Sequence, residues 1–153
     1  MKEVDKKELK ELIEEAKIGM KNAFVPRSNF SVGAAILTCK GNVYHGCNVE
    51  SVISGLGTCA ERCVIDNAAS NGEYCFRAIL IISKNKNPIK PCGACLQYIA
   101  EFSEVSGHDI EIIMVDSRRK IKRSSIRKML PKTIGPVDEG LNIKKYRCAY
   151  GKK

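Results

Sequence analysis

Three cysteines and one glutamate carry the chemistry this sequence offers most plainly: Cys59 and Glu61 in "TCAER", and Cys92 with Cys95 in "PCGAC". Side chains three apart at the start of a helix lie on one side of it, so the sulfurs of Cys92 and Cys95 can reach a single ion. Helix N-termini favour anions and lower thiol pKa, so cysteines at two helix starts supply thiolates suited to zinc. Three protein ligands leave a tetrahedral zinc with one open corner, as in catalytic sites, whereas a structural zinc takes four. Water in that corner ionises near neutral pH if a base stands close. Glu61 suits that role. Positions two apart on a regular helix face different ways, so Cys59 and Glu61 can share a site if Cys59 sits in the entering turn, before the helix becomes regular. Glu61 is then the proton carrier beside the metal and not a ligand of it. Taken singly, "CxxC" also fits two small buried residues, and Glu61 a solvated carboxylate. Their order, "CAE" opening one helix and "PCxxC" opening a later one with a strand between, is what joins them.

The elements that must position these residues follow from apolar spacing. Leu9, Leu12, Ile13, Ala16 and Met20 recur at helical intervals among lysines and glutamates, which predicts an amphipathic helix over residues 5–21. "FSVGAAILT", "CKGN" and "VYHGCNVE" read as two strands joined by a glycine-bearing turn. "TCAERCVIDNAASNG" begins with a candidate cap and stops at Asn71-Gly72, as a helix of about three turns would. "FRAILIIS" is a short continuous apolar run, expected to be a strand buried on both faces. "PCGACLQYIAEFS" opens with a proline suited to a first helical turn, "DIEIIMVD" is a further strand, and "SSIRKMLP" is expected to be a short capped helix. Helices alternate with strands, without an internal repeat or long linker. The expected fold is therefore α/β: one domain over residues 1–153, three layers α/β/α, with helices on both faces of a mixed central sheet.

Composition bounds the rest. A chain of 153 residues, 44% hydrophobic and 28% charged, can bury a core without staples. Its start is charged from the second residue and its longest apolar run, Ala78 to Ile82, is far too short to cross a bilayer. A cytoplasmic address is expected, with no membrane partner. In such a reducing compartment the eight cysteines are expected to be thiols or metal ligands. The net charge of +9 is uneven: residues 117–153 hold thirteen Lys and Arg against Asp138 and Glu139, a surplus of +11, leaving −2 for the rest. A basic cluster can meet RNA or another polyanion. It equally fits a solvated lysine-rich surface or a face toward a neighbouring subunit, and nucleic acid is not the expected partner.

Over most of its length, from "RSNFSVGAAIL" through "GCNVE", "GLGTCAER" and "PCGAC" to "MLPKTIGP", the sequence resembles the small, homotetrameric cytidine deaminases. The resemblance implies one zinc ion per subunit on Cys59, Cys92 and Cys95, with Glu61 moving the proton. It further implies that Phe30 packs against the pyrimidine, that Asn48 and Glu50 hold the ribose including its 3′-hydroxyl, and that the backbone at Ala60 touches the base. A hydroxyl that must donate to a buried carboxylate cannot be esterified, so Glu50 would reject a polynucleotide or a 3′-phosphate. Three thiolates make the zinc centre net negative, and Arg62 resembles an arginine that offsets this by hydrogen-bonding sulfur. The implied activity is hydrolytic deamination of cytidine and 2′-deoxycytidine in pyrimidine salvage. The chain departs from the family pattern at Arg27 and Ser54, where tyrosines are usual, and at Ile134, which replaces a phenylalanine that reaches a neighbour's site. Rival readings are a deaminase of a cytosine nucleoside antibiotic such as blasticidin S, a deaminase of RNA or DNA, and a structural zinc interaction module. Cys39, Cys47, Cys63, Cys75 and Cys148 have no implied role, and His45 and His108 match nothing catalytic.

Overall fold

The computed structural model describes residues 3–147. Its first helix, α1 (Lys6–Lys21), begins where Asp5 accepts the N–H groups of Lys7 and Glu8 while the Glu8 side chain returns to the Asp5 N–H. This reciprocal cap satisfies amide donors that a helix start leaves free. The hairpin β1 (Val32–Thr38) and β2 (Val43–Cys47) follows, and its turn closes through Gly41, whose φ of 93° suits a residue without Cβ. Next come α2 (Ala60–Ser70), β3 (Phe76–Ser83), α3 (Gly93–Ser106), β4 (Glu111–Val115), β5 (Ile121–Ser125) and the single-turn α4 (Ile126–Met129).

The five strands form one mixed sheet in the order β2-β1-β3-β4-β5, antiparallel throughout except for the parallel β3/β4 pair. Strand side chains alternate between faces, and here each face has its own core. Ala34, Ile36, Ile79, Ile81, Ile112 and Met114 pack on one side with Val64 and Ile65 of α2 and Ile99 of α3. Ala35, Leu37, Ala78, Leu80 and Ile113 pack on the other with Leu12 and Ala16 of α1. This two-sided burial is why "FRAILIIS" has no polar alternation: every residue of β3 is buried. The three-layer α/β/α architecture is as expected, with α1 alone on one face and the two cysteine-bearing helices side by side on the other.

Three local expectations are corrected. Residues 121–125, "IKRSS", form the edge strand β5, which sequence reasoning misses because it carries cations instead of an apolar stripe. Charged side chains on an edge strand discourage pairing with other chains. The serines read as a helix cap belong to that strand: Ser125 precedes α4 without a side-chain cap bond, and Asp109 accepts the Arg127 N–H at 3.0 Å in their place. Finally, Cys39 and Cys75 are joined by a disulfide, so the expectation of thiols throughout fails there. They sit at neighbouring strand ends, where the Cys39 N–H donates to the Cys75 carbonyl at 2.8 Å. Cys148 lies outside the described residues.

Candidate active site

Cys59 and Cys92 occupy equivalent places, each the N-cap of its helix in extended conformation, and neither uses its side chain to cap. Their sulfurs are thereby free to turn toward a shared point. Pro91 lies before the cap and not in the first helical turn, which places Cys92 at the helix start and Cys95 one turn in. The Sγ atoms of Cys59 and Cys92 are 4.0 Å apart and those of Cys92 and Cys95 3.4 Å apart. All three lie within 4.8 Å of one another. Zinc–sulfur bonds of about 2.3 Å at tetrahedral angles require sulfurs about 3.8 Å apart, so the spacing fits one Zn2+.

The electrostatics of the donors fit as well. Burial opposes the Cys92 thiolate, but the backbone N–H groups of Cys95 and Ala94 and the neighbouring thiols outweigh it and pull its pKa down. Cys95 is fully buried, and burial, followed by the charge of Glu61, pushes its thiol well above the ordinary range. Burial pushes the Cys59 thiol up as well. Three such groups ionise together when a dication sits among them. Arg62 answers the same charge. Its Nη2 donates to the Gly57 carbonyl at 3.1 Å, and its buried Nε makes no regular hydrogen bond among the described residues. Burial works against its charge, and the Cys59 sulfur beside it more than restores it.

Glu61, the second residue of α2, is 5% exposed and lies within hydrogen-bonding reach of Cys95. Burial raises its carboxyl pKa, a shift that its own backbone N–H and Cys95 offset in part. The preceding turn works as the spacing requires: Cys59, with ψ of 156°, is not yet helical, so it and Glu61 turn to the same side. Among the described residues no fourth His, Cys, Asp or Glu joins the three sulfurs. Cys63 lies instead against Cys47 on β2. His45 donates to Glu15 at 2.8 Å and His108 to the Phe76 carbonyl at 2.7 Å, both away from the cluster.

A cleft of about 650 Å³ opens beside Cys59, lined by Arg27, Asn48, Glu50, Ser54 and Arg62 among others. Asn48 spans its wall: the side-chain carbonyl accepts the Val32 N–H at 2.8 Å and the amide donates to the Phe30 carbonyl at 2.9 Å. One amide hydrogen of Asn48 is left for a ligand. Phe30, 40% exposed, does not line the cleft itself and is tied to it through its carbonyl on Asn48. Glu50 is not the buried carboxylate expected but a half-exposed one, held by the N–H groups of Arg27 at 2.8 Å and Ser28 at 3.3 Å. The Ser28 hydroxyl and these N–H groups keep its pKa low. Sequence reasoning misses these backbone donors, because an amide N–H has no residue signature. Ala60 is buried, and its N–H belongs to the first helical turn, which has no intrahelical partner and can meet a ligand. Of the departures, Arg27 and Ser54 line the cleft, whereas Ile134 is exposed elsewhere, its carbonyl accepting from Gln97 at 2.7 Å.

Comparisons with known proteins agree with this geometry. The sequence model described as the cytidine and deoxycytidylate deaminase zinc-binding region matches residues 6–106. A cytidine deaminase of Sporosarcina psychrophila is 36% identical over 131 residues, covering 86% of this chain and 94% of that protein. A probable cytidine deaminase of Dictyostelium discoideum is 38% identical over 129 residues, 84% of each chain. The crystal structure of cytidine deaminase from Burkholderia pseudomallei superposes with a TM-score of 0.76 at 37% identity, over 82% of this chain and 98% of that one. That of Mycobacterium tuberculosis gives 0.68 at 31%, over 83% and 97%. Matches that run nearly the full length of their counterparts and include both cysteine-bearing helix starts leave one conclusion: the chain belongs to the cytidine deaminase family.

Proposed function

We propose that the protein hydrolyses the 4-amino group of cytidine and 2′-deoxycytidine, releasing ammonia and the corresponding uridine. The observation that carries this reading is a buried carboxylate, Glu61, directed at a three-sulfur cluster that opens onto a cleft. Zinc held by Cys59, Cys92 and Cys95 supplies Lewis acidity that makes the attacking water reactive near neutral pH. Glu61 accepts a proton from that water and delivers it to N3 of the cytosine ring as the oxygen adds to C4. It then passes the second proton to the 4-amino group, which leaves as ammonia while the C4 carbonyl forms. Burial supports this shuttle, since a carboxyl with a raised pKa can both take and return a proton. Phe30 packs on the pyrimidine, the Ala60 N–H touches the base, Asn48 and Glu50 take the ribose hydroxyls, and Arg62 offsets the charge of the thiolates.

The remaining parts of the reading rest on family resemblance and composition. The whole chain, residues 1–153, is one domain. It assembles as a homotetramer, serves pyrimidine salvage and acts in the cytoplasm. No helix among the described residues is long and apolar enough to cross a membrane. The Cys39–Cys75 bond argues the other way on compartment.

The test is Glu61→Gln, which keeps the size of the side chain and removes its basicity. Zinc content stays at one per chain, and the ultraviolet assay of cytidine turnover shows kcat falling by about 10²–10⁴-fold. Near-full activity in that variant would remove the mechanism. Zinc bound at one per chain by a parent protein that turns over no cytidine, and held equally by the Glu61→Gln variant, would mark the ion as structural.

A further inference from the structure

Where β3 and β4 end, cations gather from separate parts of the chain onto one continuous surface. The β4–β5 turn carries Arg118, Arg119 and Lys120, and the loop after β3 carries Lys84 and Lys86, all of them exposed. The two segments are tied together: Arg118 Nη2 donates to the Lys86 carbonyl at 2.7 Å, and the Ser117 N–H to the Asn85 carbonyl at 2.9 Å. On the other side of the turn, Arg119 borders a groove of about 290 Å³ against α1, where Lys6, Lys10 and Lys17 line it beside Leu9 and Ile13. Little negative charge answers them. Glu14, also in the groove, is paired with Lys17 at 3.2 Å. Asp116 is fully buried, with Oδ1 accepting the N–H groups of Arg118 and Lys120 at 2.8 Å. The side chains of Lys6, Lys10, Lys84, Lys86, Arg119 and Lys120 have no ion-pair partner among the described residues. Arg119 moreover stands at φ 64°, the left-handed region where glycine is unstrained and arginine is not. A charged side chain held in a conformation that folding disfavours points to a use outside folding.

We propose that this surface binds single-stranded nucleic acid through its phosphodiester backbone, as a function separate from the reaction at the metal cluster. Cations of one sign on adjoining segments raise the local concentration of a polyanion and call for one long enough to meet them all. Their path selects a flexible one. It runs from α1 across a groove to the β4–β5 turn and on over the β3 loop, a course that a single strand can follow and a stiff duplex cannot. A charged bilayer fits less well, because the apolar residues here are the partly buried Leu9 and Ile13, packed down against the sheet and not raised for insertion. No aromatic side chain lines the groove, so bases are not stacked on protein rings there and the binding is indifferent to sequence. An acidic peptide segment shares the sign of the strand, and the competitors below separate the two.

The test uses the zinc-loaded full chain and a fluorescein-labelled oligouridine of about 20 nucleotides, with binding read by anisotropy. Neutralising about five phosphates gives a slope of about −3.5 for log K against log salt, a weakening of roughly a hundredfold between about 50 and about 200 mM. The combined variant Lys86→Gln, Arg119→Gly, Lys120→Gln reduces that slope by about 2 and weakens binding at low salt by roughly tenfold or more. Its fold is kept, since glycine suits the φ of position 119 and the Lys86 carbonyl still holds Arg118. The variant Lys144→Gln, Lys145→Gln, Arg147→Gln removes the same charge elsewhere and changes K by less than about twofold. Equal weakening by the two variants would show an effect of net charge alone and overturn the proposal, as would no binding at low salt. Competition by polyglutamate, by a duplex of equal length or by phosphatidylserine vesicles as strong as that by unlabelled oligouridine would assign the surface to that other partner and overturn it too. Cytidine turnover stays at the parent level in both variants, so failure here leaves the deaminase reading standing.

Discussion

Gly46→Ala should weaken the fold and the metal site together. Gly46 lies on β2 opposite Ala34, with the α1 residue Gly19 on one side and the α2 residue Val64 on the other. A Cβ at position 46 would stand 2.5 Å from Val64 N, 2.8 Å from its Cα and 2.9 Å from its Cβ, where ordinary contact is 3.4–4 Å. Two of these atoms are backbone, so no rotamer change relieves the clash and α2 must retreat by about 1 Å. Overpacking of this kind costs about 1–3 kcal/mol, against about 0.4–1 kcal/mol gained from restricting the unfolded chain. A net loss of about 1–2 kcal/mol is expected from denaturant unfolding of the metal-free protein. Cys59 is the N-cap of α2, and its sulfur is 4.0 Å from that of Cys92. A retreat of that size shifts Cys59 relative to Cys92 and Cys95, and the roughly 3.8 Å edges of a zinc–sulfur tetrahedron tolerate little misplacement. Zinc affinity, read by competition with a chelator, therefore falls too, and the stability gap widens in the zinc-loaded protein. Adding Val64→Ala does not rescue it, because the closest atoms are backbone. Metal-free stability within about 0.5 kcal/mol of the natural protein would refute the packing argument. Lost stability with unchanged zinc affinity would refute its transmission to the site.

Two further outcomes follow from pairs outside the site. Glu8 on α1 accepts from buried Arg77 on β3 at 2.6 Å, and that hydrogen bond, net of burial, holds its carboxyl below the usual 4.5. The stability it lends is full above the unfolded pKa and is lost as pH falls through the lower folded value. Glu8→Gln should thus cost about 1–3 kcal/mol at pH 7, with the deficit shrinking in acid; a deficit that stays constant to pH 3 contradicts the assignment. For the Cys39–Cys75 bond, thiol titration of the denatured protein should give two thiols fewer before reduction than after it, and equal counts would refute the pairing.

What the sequence reveals of this fold tracks how strongly physics constrains each residue. β3 is legible because a strand covered on both faces must be apolar throughout, and Phe76–Ser83 is. β5 is not, because an edge strand needs backbone partners and little else, and "IKRSS" satisfies β4 without an apolar pattern. The Cys39–Cys75 pair is hidden for another reason. Its partners are 36 positions apart and meet through the β1/β3 register, whose irregularity falls at Leu37/Thr38 beside them. Spacing along the chain carries no trace of that.

The candidate site divides along the same line. The convergence of Cys59, Cys92 and Cys95 is readable because a metal fixes both residue type and geometry, and two helix starts on one face of a sheet are a simple way to supply them. The cleft wall is built differently, from backbone donors of Arg27 and Ser28 and from an Asn48 side chain already spent twice on Val32 and Phe30. Asn48 and Glu50 thus carry a structural duty, holding the Phe30 loop against β1, beside any duty to a substrate. Substituting either one must loosen the loop as well as remove a ligand contact, so a loss of activity at these positions cannot by itself assign a ribose contact. At Arg27 the backbone N–H makes the hydrogen bond to Glu50 and the guanidinium adds only its field there, so a side-chain substitution leaves that anchoring bond in place.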